Sequence, residues 1–103
     1  MQAARKKEYK AKPEDLENIA KTQEIAIDLT KKYLFQPVQE MQAAGHSRLE
    51  MACAFIMFGY HLLRQGQSAA KAQDAFNVLT YFAGQRIERG ISDRRKKKLS
   101  RLH

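Results

Sequence analysis

The chain has 103 residues, 44% of them apolar, with 19 Lys and Arg against 11 Asp and Glu for a formal charge of +8. Its length suits one domain, or one domain shared between two chains. The longest uncharged apolar-rich run, from Met51 to Leu63, is too short for a membrane span of roughly 20 residues. Arg5, Lys6 and Lys7 lead into polar sequence instead of a secretory h-region, and the single cysteine, Cys53, leaves no internal disulfide. These features predict a soluble, cytoplasmic protein.

The charge is unevenly placed. Residues 1–12 carry Arg5, Lys6, Lys7, Lys10 and Lys12 against Glu8, a net +4. Residues 92–103 carry Arg94, Arg95, Lys96, Lys97, Lys98 and Arg101 against Asp93, a net +5. The stretch between them, 13–91, comes to −1. Blocks of like charge repel and stay solvated, so the chain divides into a basic N-terminal tail, a helical domain over 13–91 and a basic C-terminal tail.

The first helix is predicted over about 13–35. Pro13 suits a first helical turn, Glu14, Asp15 and Glu17 complement the positive end of the dipole, and Leu16, Ile19, Ala20, Ala26, Ile27, Tyr33 and Leu34 recur near the helical period. Pro37 is expected to break it. A short turn from Pro37 to Ala44 follows, with Gly45 as its left-handed stop.

The second helix, about 48–65, opens on the capping box Ser47-Arg48-Leu49-Glu50 and stops at Gly66. Between these signals almost no polar face remains, and a helix apolar all round must be buried all round. Two neighbouring helices cannot supply that cover. Met51, Phe55, Phe58 and Leu62 form one stripe at helical spacing, which is the predicted contact surface. A patch of that kind is rarely left open in a monomer, and a two-fold homodimer covers it with its own copy. Met41, Met51 and Met57 fill core gaps or add adaptable surface.

The third helix, about 68–89, starts at the N-cap Ser68 and is expected to stop at Gly90. Ala72, Ala75, Phe76, Leu79, Phe82, Ala83 and Ile87 form its apolar stripe. Gly59 and Gly84 lie inside helices, where close helix–helix approach is the expected reason. Beyond Gly90, a last turn capped by Ser92 and including Leu99 and Leu102 extends the pattern into basic sequence. No segment has the sustained period of two that marks a strand. The fold class is therefore all-α, a three-helix domain with an αα-hairpin, completed by homodimerisation.

Catalytic, metal-binding and cofactor motifs are not found, so no enzyme activity, metal or cofactor is expected. His61 and Cys53 read as core or interface residues, and their spacing is wrong for a shared metal. The carboxylates Glu14, Asp15, Glu17, Glu24 and Asp28 form a solvated face. A helix-turn-helix around Arg64-Gln65-Gly66-Gln67 is disfavoured, because Ala69, Ala70 and Ala72 cannot read bases.

Two functional expectations follow. The first is a non-enzymatic helical regulator acting by protein contact, in the manner of the small bacterial antiactivators and adaptors that bind a transcription regulator. The second is a nucleic-acid-binding protein in which Arg94, Arg95, Lys96, Lys97, Lys98 and Arg101 hold phosphates without reading bases.

Overall fold

A computed structural model describes residues 13–101, and every regular element among them is helical. The order is α1 (Pro13–Leu29), a π-helical turn (Thr30–Leu34), α2 (Phe35–Ala43), α3 (Arg48–Arg64) and α4 (Ala69–Arg101). Since α1, the π turn and α2 run on without a break, the chain forms three helical rods, as the periodicity predicts. The basic N-terminal tail lies outside the described residues, as do Leu102 and His103.

Pro37 does not break the first rod, contrary to the sequence expectation. The helix widens upstream instead, and Leu34 carries the departure at φ −102° and ψ −22°. That places Pro37 in the first turn of α2, where a missing N–H does least harm. α2 then ends in the predicted glycine stop. Gly45 has φ +91°, its N–H donates to the Gln42 carbonyl at 3.0 Å, and the His46 N–H donates to the Met41 carbonyl at 3.1 Å. This double closure satisfies carbonyls that the helix end would otherwise orphan.

α3 begins at the predicted capping box. The Glu50 amide donates to Ser47 Oγ at 3.1 Å, and the Ser47 amide donates to Glu50 Oε1 at 2.8 Å. After Arg64 the chain reverses through Gln65 (φ −62°, ψ 122°) and Gly66 (φ +70°). The Gln67 N–H closes this type II turn on the Arg64 carbonyl at 3.3 Å, a geometry that needs glycine at its third position. The Arg64 guanidinium also donates to the Gln67 carbonyl. Ser68 Oγ then caps α4 by accepting from the Lys71 amide at 3.2 Å.

α3 and the N-terminal half of α4 form the αα-hairpin. Tyr60 meets Phe76 edge-to-face, with ring centroids 5.9 Å apart. Ala72 is fully buried, its relative exposure being 0%. α1 lies against α4 further along, where Arg86 Nη1 donates to Gln23 Oε1 at 3.3 Å and the guanidinium pairs with Glu24.

The third rod is longer than expected. Gly90 sits inside α4 with ordinary helical φ, so the predicted stop is absent and the helix carries the basic segment to Arg101. At 1.5 Å per residue α4 is about 50 Å long and α3 about 25 Å. α3 therefore reaches only half of α4. Nor do the internal glycines mark close approach: a Cβ on Gly59 or Gly84 would meet nothing within 4 Å.

Candidate contact surface on α3

The sequence of α3 makes it the most apolar element, and its neighbours leave most of it open. Of the predicted stripe, Met51 is buried within the chain at 7% exposure and so is not available as free surface. Phe55 keeps 38% of its surface, Leu62 52% and Phe58 63%. These three follow one line along the helix at i, i+3 and i+7. The Phe58 ring lies 6.3 Å from that of His61, which is exposed and not a core histidine. Cys53, expected to be a small buried residue, is exposed as well.

A second flank was not singled out by the stripe. Ile56 and Met57 are exposed, and with Tyr60, Gln73 and Phe76 they line a groove of about 340 Å³ between α3 and α4. The signal was present in the all-round apolar character of the helix. Choosing one stripe from it requires knowing which side α4 occupies.

Unpaired apolar surface continues onto the first rod. Ile19, Gln23, Ile27 and Thr30 are partly covered, whereas Ile25, Leu29, Tyr33 and Phe35 are exposed. Tyr33, assigned to the apolar face by its period, therefore points away from cover. Leu16, Ala20 and Ala26, assigned to the same face, are exposed upstream of the π turn as well, so the covered line is narrower than the apolar period suggests.

Charge around α3 is sparse. Ser47 holds the Glu50 carboxyl below its ordinary range, first through the backbone N–H and then through the hydroxyl, with His46 adding a smaller pull in the same direction. Partial desolvation opposes these effects. Glu50 is thus a capping group. The acidic residues of α1 are exposed, with Glu17 paired to Lys21 at 3.4 Å, but Glu24 departs from the expected solvated face by pairing with Arg86 of α4.

The six C-terminal cations lie on the last turns of α4, all exposed. Arg94 Nε donates to the Gly90 carbonyl at 3.3 Å. Among the described residues, none of the six takes part in an ion pair. No helix among the described residues is long and apolar enough to cross a membrane. No group of three or more His, Cys, Asp and Glu among them is placed to hold a metal ion. Comparison with protein-family models, curated proteins and solved structures finds no match to this chain.

Proposed function

We propose that this chain is a small non-enzymatic regulator that works by helix-mediated protein contact, with α3 as its contact element. One observation carries the reading: α3 leaves Phe55, Ile56, Met57, Phe58 and Leu62 exposed together, an apolar face of a kind that soluble monomers rarely leave open. A standard interface takes about 800 Å² from each partner.

The resting partner in this reading is a second copy of the chain. Phe55, Phe58 and Leu62 then bury against their equivalents across a two-fold axis, where one patch covers itself. At about 25 cal/mol per Å², closing such a patch contributes many kcal/mol before the entropy of association is subtracted. Met57 beside the stripe supplies a flexible side chain that can repack against an unlike partner. We assign that partner to the helical transcription regulators, whose dimerisation or DNA contact an apolar helix can block. Support for this last step is the size and helicity of the chain together with its exposed helix face.

Sedimentation of the full chain tests the first step. Wild type is expected at twice the chain mass, and Phe58→Asp at the chain mass with its helical circular dichroism retained. A wild-type protein that stays monomeric at micromolar concentration overturns the dimer. For the regulatory step, a regulator captured by the wild type must be lost with Phe58→Asp and kept after removal of residues 94–103. The reverse pattern rejects α3 as the contact element.

A further inference from the structure

The end of α4 is a second surface, built from residues separate from those of α3. From Ser92 to Arg101 the chain is continuous helix, every residue is exposed, and six cations face one carboxylate, Asp93. Dipole complementarity accounts for cations in the last turn, Lys98 and Arg101, but the effect fades beyond it. It leaves Arg94, Arg95, Lys96 and Lys97 unexplained. Like charges three and four residues apart repel on a helix, and Arg94, Lys97, Lys98 and Arg101 stand in that relation. The segment holds this repulsion without an ion pair among the described residues.

We infer that this basic helix is a binding site for double-stranded DNA, seated in the major groove and held by phosphates on both walls. Shape and charge placement carry the inference together. With side chains a helix is about 10–12 Å across, and the major groove of B-DNA is about 12 Å wide. Successive residues are turned by about 100°, so Arg94, Lys97, Lys98 and Arg101 share one side while Arg95 and Lys96 project from the others. A groove flanked by two phosphate backbones can use cations on several sides of one helix; a flat acidic protein surface uses one side only. Density agrees as well. Arg94 to Arg101 spans about 10 Å of helix axis, and a similar length of duplex carries about six phosphates.

Other anionic partners fit less well. An amphipathic membrane helix needs an apolar face, and between Ser92 and Arg101 only Leu99 is apolar. The major groove of A-form RNA is too deep and narrow for the same seating. The segment holds no Asn or Gln, the usual adenine readers, and its long cations match the phosphates in number, so binding is sequence-tolerant and dominated by counterion release.

Fluorescence anisotropy of the full chain with a mixed-sequence DNA duplex, from about 50 to about 200 mM salt, tests the proposal. Affinity is expected to fall on the order of 10³-fold across that range. The triple variant Lys97→Gln, Lys98→Gln, Arg101→Gln removes three phosphate contacts. Its plot of log K against log salt should be shallower by about three, with helical circular dichroism kept. Leu99→Pro keeps all six cations but breaks their helix, and should weaken duplex binding about tenfold. Absence of duplex binding at low salt overturns the proposal. So does a triple variant that binds like wild type. Equal affinity of Leu99→Pro and wild type, or of duplex RNA and duplex DNA, overturns the groove seating.

Discussion

Individual residues do their clearest work at the helix ends. Ser47 and Glu50 satisfy each other's amides, so Ser47→Ala should cost about 1 kcal/mol in chemical denaturation. The pH dependence follows from the same pair. The Glu50 carboxyl is held low in the folded chain, so its contribution is complete above the unfolded carboxyl range, near 4.3. It is lost as pH falls through the lower folded value. A titration of stability should therefore show an acid-side loss that Glu50→Gln removes. Inside the helices, Gly84 and Gly90 have neither a positive φ nor a close neighbour. Gly84→Ala should raise stability by up to about 1 kcal/mol, since alanine loses less backbone freedom; a loss would mean that something packs on that face.

At the scale of elements, two predicted caps hold, while the third, Ser92, caps nothing because α4 runs through it. The capping box and Ser68 both begin helices where the sequence places them, because a cap is a local hydrogen bond between near neighbours. Pro37 and Gly90 fail as stops. A proline halts a helix only where its missing donor and its ring cannot be accommodated, and the π turn relieves both. Glycine ends a helix by adopting a left-handed φ, as Gly45 and Gly66 do. Nothing obliges Gly90 to do so. The first rod is tied to the hairpin at Arg86, where Glu24 and Gln23 converge. Glu24 is largely exposed, so a double-mutant cycle on Arg86 and Glu24 should give a coupling of at most about 1 kcal/mol. A larger value would show that the pair is shielded from water in the assembled protein.

For the whole molecule, openness is the dominant fact. The radius of gyration is 16.7 Å, against about 13 Å for a compact domain of this length, and among the described residues the buried hydrophobic ones are Met51 and Ala72. In the proposed dimer a second copy supplies further burial against the conformational entropy of folding. Its thermal midpoint should therefore rise with protein concentration, as in obligate dimers. A midpoint that stays constant over a hundredfold range of concentration would contradict self-association. The two proposed surfaces also belong to different parts of the molecule, α3 at the hairpin and the basic helix at the end of α4. Phe58→Asp and the Lys97, Lys98, Arg101 substitutions should thus separate their effects, the first on mass and the second on salt-dependent DNA affinity.

Helix number, helix starts, the hairpin turn and the segregation of charge to the chain end are set by near-neighbour chemistry, and the amino-acid order alone determines them. The apolar excess of the second helix is equally legible, because it is a property of composition. Tertiary structure decided which side of that helix is covered, burying Met51 and opening Ile56 and Met57 beside Phe58. It also decided that the basic segment continues α4 as exposed helix to Arg101. The formal charge of +8 reads differently as a result. Part of it is carried on a helical rod of defined width, because continuing a helix costs far less than starting one, and α4 is already nucleated by its packing on α3.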